Sequence, residues 1–213
     1  MASYAKTKAE QDADITPWWP VQVRDFHERL DRTPSNHREL TDLAIMRLLD
    51  LKDDLENGDD SVARLLLSVK AEPEMRNFLA HALREKAHRR YTITQEEELA
   101  DDKRPDLRFH GIGFDAPVPA ELKLADRWTG RELFERLENQ LSGDYLRDNR
   151  SAYGIFVLVN LSHDKHWQPP SSERVDFDGL AQALQNHWKS IANKHPHVED
   201  IAIIGIDLTK RFR

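Results

Sequence analysis

The chain of 213 residues contains no cysteine. Disulfides, thiolate metal sites and a cysteine nucleophile are therefore excluded, and a reducing cytoplasm is the expected setting. Long hydrophobic runs are also missing. No segment approaches the roughly 20 apolar residues that a membrane-spanning helix requires, and "MASYAKTKAEQDADITPWWP" carries no apolar core of a secretory leader, so a soluble protein away from membranes is expected. Nor is there an overall basic excess: the formal net charge is −7. That argues against a nonspecific polyanion binder, but it conceals distribution. Basic residues gather in "LREKAHRR", at Lys103, Arg104 and Arg108, and in "DRWTGRELFERL" through "RDNR", whereas "DLKDDLENGDD" is acidic. A local phosphate-facing surface on an acidic protein is compatible with this asymmetry.

What is present is a change of hydrophobic period along the chain. Residues 1–16 read as a polar lead. In "NHRELTDLAIMRLLDLKDDLENG", Leu40, Leu43, Ala44, Met46, Leu48 and Leu51 recur near the helical period, and Asn57-Gly58 supplies a stop. "DDSVARLLLSV" begins another short helix. "AEPEMRNFLAHALREKAHRR" has proline in its first turn and Met75, Phe78, Leu79, Ala82 and Leu83 on one face. Strands are then expected at 91–95, 106–111 and 118–124, an amphipathic helix in "TGRELFERLENQLSGDYLRD", and a doubly covered strand in "YGIFVLVNL". The helix "DGLAQALQNHWKSIANKH" and the strand "DIAIIGIDL" complete the order. This order predicts an α/β architecture with a mixed central sheet flanked by helices. Residues 1–70 are expected to form an N-terminal helical extension and 71–213 the core. The extension is expected to dock on a partner protein or on a longer parent chain.

Within the core, "KRPDLRFHGIGFDAPVPAELKLA" places three charged groups at the margins of segments that otherwise call for burial. Isolated buried charges are costly, so something must compensate them. Side chains alternate along a strand, putting Glu121 and Lys123 on one face and Leu122 on the other. Pairing of the strands through 112–117 would bring Asp106 to the same end of the sheet. Two carboxylates with a carbonyl make the hard oxygen environment that Mg²⁺ or Mn²⁺ takes, and a lysine beside them can orient water or offset charge developing on phosphorus. A surface ion pair on an edge strand is the plainer alternative for Glu121 and Lys123.

In order and spacing, "RPD", "AELK" and the preceding Glu-bearing helix resemble the PD-(D/E)XK nuclease superfamily over about residues 72–208. The resemblance implies a restriction-endonuclease-like fold and a Mg²⁺- or Mn²⁺-dependent nuclease acting on DNA rather than RNA. It implies that Asp106 and Glu121 bind the metal, that the Leu122 carbonyl completes the site, and that Lys123 is the catalytic lysine. The superfamily often adds a helix glutamate, for which Glu74 is chosen here, with Glu72 as its rival. Some members carry glutamine and tyrosine on the next helix. Gln140 and Tyr145 are the counterparts, five positions apart where four is commoner. "RLENQLSGDYLRDNRSAYGIFVLV" is also similar to a domain at the C-terminal end of large bacterial proteins, some linked to defence. Arg127, Arg131 and Arg136, with Gln140, are expected to grip nucleic acid. The alternative function is a catalytically silent domain of this fold that binds nucleic acid or a protein.

Other motifs yield plainer readings. The histidines of "HDKHW" and "HPH" are expected to be solvated, since no third ligand stands at usual spacing. "DDLENGDDS" lacks the EF-hand spacing and reads as a turn and helix cap. Trp18 and Trp19 read as core or interface anchors. "QEEELADDKR" reads as a charged turn that could supply a second metal ligand.

Overall fold

The computed structural model describes residues 19–23, 32–95, 105–142, 146, 150–170 and 173–212, with the backbone alone for 140–142. The chain divides into two compact units, 1–32 and 33–213. In the first, the described part is a short helical turn at 20–23, where Trp19 is exposed. The functional questions concern the second.

That unit opens with α1 (His37–Asn57), whose Asn36 side chain accepts from the Glu39 amide at 3.0 Å. Such a cap satisfies one of the first-turn N–H groups that a helix leaves unpaired. After the single turn α2 (Ala63–Leu66) comes α3 (Glu72–Glu85), with proline in its first turn. Strands β1 (Tyr91–Gln95), β2 (Leu107–Gly111) and β3 (Val118–Leu124) follow. Next are α4 (Gly130–Arg136), which continues into a π-helical turn over Leu137–Ser142, then β4 (Tyr153–Asn160), α5 (Phe177–Ile191) and β5 (Asp200–Asp207). The strands form one five-stranded mixed sheet in the order β1-β2-β3-β4-β5. β2 pairs antiparallel with both β1 and β3, and β3, β4 and β5 run parallel. The α/β class, the mixed sheet and its flanking helices therefore agree with the order of elements expected from the periodicities.

Alternation along the strands sorts the core into two layers. Ala120, Leu122, Leu124, Ile155, Val157 and Val159 join the buried faces of α1 and α3 in one cluster. Phe156, Leu158 and Ile201 join α4 and α5 in the other, with Trp167 and Trp188. Both parallel crossovers place their helix in this second layer, as consecutive connections of one hand advancing in one direction require.

The packing does not divide at residue 70. Leu40, Leu43, Ala44, Leu48, Leu51 and Leu55 of α1 are buried in the same cluster as the sheet. Glu56, also buried, accepts from the Asp207 amide at 2.8 Å and from Lys210 Nζ at 3.0 Å, and it also pairs with Lys52. The α1 terminus is thus bonded to the end of β5. The helix read as part of an extension is a layer of the core, because its apolar stripe covers one face of the sheet.

Candidate functional site

β2 is shorter than the edge of β3 that it covers. Its first residue, Leu107, lies opposite Ala120, so β3 continues through Leu122 and Leu124 past the end of its antiparallel neighbour. Backbone N–H groups in such a position need other acceptors. Two carboxylates provide them: Asp106 Oδ2 accepts from the Leu122 amide at 2.9 Å, and Glu72 Oε1 from the Leu124 amide at 3.2 Å. A strand residue directs its N–H and C=O to the same side, so the Leu122 carbonyl opens on this edge as well.

The other two charges come from β3 itself. Glu121 and Lys123 lie opposite Phe156 and Leu158 of β4, on the face of the second core layer, and both are buried, at 1% and 5% exposure. Leu122 points into the first layer. Lys123 Nζ stands 2.5 Å from Glu121 Oε1 and 3.4 Å from Glu72 Oε2. The second oxygen of Glu121 is buried, and among the described residues nothing donates a hydrogen bond to it. An acceptor left without a donor inside a protein costs free energy, and such exceptions concentrate where a group is held for a purpose. Asp106 is better provided for, since its Oδ1 lies 3.1 Å from Arg76 Nη1.

Burial is the first cause of the unusual electrostatics. It pushes the Glu121 carboxyl up from 4.5 to about 8, reinforced by the negative charges of Asp106 and Glu72 and opposed by Lys123. For Lys123, burial alone would lower the ammonium's pKa. Glu121 and Glu72, with Asp106 further off, outweigh it and hold the pKa above its usual value. A charged lysine therefore sits among three acidic groups, one of which has no second hydrogen-bonding partner.

Asp106, Glu121, Lys123 and the Leu122 backbone are brought together, as the strand pairing anticipated. The helix glutamate at this point is Glu72 and not Glu74, the residue chosen from the sequence. Glu72 opens α3 and reaches β3, whereas exposed Glu74 turns back to accept from the Lys70 amide at 3.0 Å. Burial of Met75 and Leu79 rotates position 74 outward, and the preceding turn leaves position 72 over the sheet edge.

Two neighbours of the site were not singled out in the sequence. Arg76 lies one helical turn after Glu72, on the same face of α3. Trp128 follows β3, donates its indole N–H to Glu72 Oε1 at 2.7 Å, and has Lys123 Nζ and the Arg136 guanidinium 5.5 and 4.9 Å from its ring centroid. An aromatic residue five positions after the lysine is a weak signal, and only the fold shows that it touches both. Of the expected nucleic-acid contacts, Arg136 is thus beside the site. Arg127 is exposed and pairs with Asp126 at 3.3 Å; Arg131 is 82% exposed in its side chain and pairs with Glu135. The Gln140 side chain, Tyr145, Trp18, and residues 96–104 of the acidic turn lie outside the described residues.

Among the described residues, no three His, Asp or Glu side chains are grouped so as to hold a metal ion as they stand. The donor set is two carboxylates and a carbonyl, with Arg76 and Lys123 on the carboxylates. Its chemistry fits a hard divalent cation through the unpartnered Glu121 oxygen, the Asp106 carboxylate and the Leu122 carbonyl. Compared with known proteins, the chain matches no family model, no curated protein and no solved structure.

Proposed function

We propose that the protein is a Mg²⁺- or Mn²⁺-dependent nuclease of restriction-endonuclease-like fold, hydrolysing phosphodiester bonds with DNA as its expected substrate. The observation that carries this reading is the convergence of Asp106, Glu121 and Lys123 at an uncovered strand edge, with one buried Glu121 oxygen left without a donor. Together with the sequence resemblance through "RPD" and "AELK", this supports phosphodiester chemistry more specifically than either feature alone.

In this reading Asp106, Glu121 and the Leu122 carbonyl would hold the cation, which when bound would supply Lewis acidity toward a phosphate oxygen and make a bound water more acidic. Lys123 orients that water and offsets the charge that grows on the phosphoryl oxygens; because it is buried, its charge acts through a poorly screening surround. Glu72 holds Lys123 together with Glu121, and Trp128 fixes Glu72. Arg76 holds the Asp106 carboxylate directed at the strand edge.

One observation favours the silent alternative. Arg76 on Asp106 and Lys123 on Glu121 already supply cationic partners to both proposed ligands. Incubation of the protein with plasmid, single-stranded DNA and RNA in Mg²⁺, Mn²⁺ or EDTA separates the readings. Cleavage in metal that stops in EDTA is expected; undiminished cleavage in EDTA, or binding with no cleavage under any condition, overturns the proposal.

A further inference from the structure

Beyond Trp128 the chain enters a second built feature. Between β4 and α5, residues 161–170 and 173–176 form the described parts of an irregular arm, joined by reciprocal Trp167 and Val175 backbone bonds of 2.9 and 2.8 Å. The arm is bonded to the segment that leaves β3: Lys165 Nζ donates to the carbonyls of Asp126 and Trp128 at 2.7 and 2.9 Å, and Trp167 Nε1 to that of Ala125 at 2.9 Å. Gly130, the first residue of α4, approaches so closely that a Cβ there would lie 2.3 Å from the Gln168 carbonyl oxygen. The arm and the start of α4 are therefore fixed relative to each other and to Trp128.

Between them lies an open cleft of about 800 Å³. Arg131, Lys165 and Arg174 line it along with His166 and two consecutive prolines, and among the described residues Asp164 is its one acidic lining side chain. Cations thus outnumber anions there on a protein whose net charge is −7. The volume falls in the range of about 300–1,000 Å³ typical of pockets that enclose a small ligand, which suits a short stretch of single strand. A positively charged groove that follows the phosphate backbone is a usual means of holding single-stranded nucleic acid.

We propose that this cleft binds the single-stranded segment of nucleic acid flanking the scissile phosphate, with Arg131, Lys165 and Arg174 on its phosphates. The proposal rests on the nuclease reading for the position of the scissile bond. Trp128 joins the two places physically, since its indole N–H is on Glu72 and its carbonyl is on Lys165. A strand crossing the site would continue over Trp128 into the cleft.

The test measures fluorescence anisotropy of a labelled oligothymidylate, and of a duplex of equal length, with wild type and Arg174→Glu in EDTA. In parallel it measures hydrolysis of bis(4-nitrophenyl) phosphate with Mn²⁺, a diester too small to reach the cleft. Single strand is expected to bind more tightly than duplex. Arg174→Glu should weaken single-strand binding about tenfold or more and reduce the salt slope by about one, while Arg174→Lys retains affinity. Hydrolysis of the small diester should be unchanged. Equal affinity in wild type and Arg174→Glu, or a preference for duplex, overturns the cleft assignment. Failure of wild type to hydrolyse the small diester counts against the nuclease reading alone, because the binding comparison needs no catalysis.

Discussion

Replacing Glu121 by glutamine should remove a specific pH dependence of folding stability. The Glu121 carboxyl is buried, faces the charges of Asp106 and Glu72, and is pushed up from 4.5 to about 8. Between those values the folded protein holds a proton that the unfolded chain has released, so stability falls as pH rises. Stability from this group is fully present below pH 4.5 and is lost progressively as pH approaches 8. Over the interval from pH 5 to pH 7 the loss is about 2–3 kcal/mol, taking 1.36 kcal/mol for each pH unit of unequal protonation. For a chain of this length that corresponds to a melting shift of roughly 4–12 °C. Glu121→Gln cannot titrate and should lack this component, whatever its absolute stability. Guanidinium unfolding in EDTA, followed by tryptophan fluorescence, reports the difference because Trp167 and Trp188 are buried. The quantity to compare is the wild-type slope against the variant slope, which cancels other groups. Parallel pH profiles would mean that Glu121 ionises as an ordinary carboxylate and that its buried, unpartnered oxygen has no electrostatic consequence.

Lys123→Ala should reduce turnover at least a hundredfold with little change in substrate affinity, since its charge is used where the transition state develops; single-turnover assays at saturating DNA check this, and a wild-type rate would leave Lys123 as a structural ion-pair partner only. Arg131→Ala with Arg136→Ala should weaken DNA binding and lower the salt slope by about two, one for each lost phosphate contact, as read from anisotropy titrations in graded KCl; an unchanged slope places the phosphates elsewhere. Asp106→Asn should abolish cleavage and most of the Mg²⁺- or Mn²⁺-induced rise in melting temperature. It should also destabilise the metal-free protein by about 1–3 kcal/mol, because asparagine can still accept from Leu122 but weakens the partly buried pair with Arg76; an equal metal-induced shift in wild type and variant would show that Asp106 is not a ligand.

The strands were legible to within a residue because their sequences state both period and boundary. "YGIFVLVNL" is covered on both faces and reads as an unbroken apolar run, and β3 is delimited by Pro117 and by the charged turn after Leu124. The role of α1 was not legible. An amphipathic stripe states that a helix is buried on one side but not against what. The contact that decides the matter, Glu56 on the Asp207 amide, spans 151 residues and leaves no local pattern.

The site divides along the same line. Asp106, Glu121 and Lys123 were legible because strand alternation and one turn suffice to bring them together. The choice between Glu72 and Glu74 turned on helix phase at a first turn, where the apolar stripe gives the face but not how far the helix end overhangs the sheet. What settles it is backbone accounting: β3 outruns β2, two amides at its edge require acceptors, and Asp106 and Glu72 are the carboxylates within reach. Each has a structural duty before any catalytic one. Glu121 differs. Its contact with Lys123 occupies one oxygen, the other has no donor, and replacing the pair by apolar side chains would relieve the cost of burying both charges. Fold stability therefore accounts for Asp106 and Glu72 but leaves Glu121 unexplained, which makes Glu121 the residue at which a functional reading carries most weight.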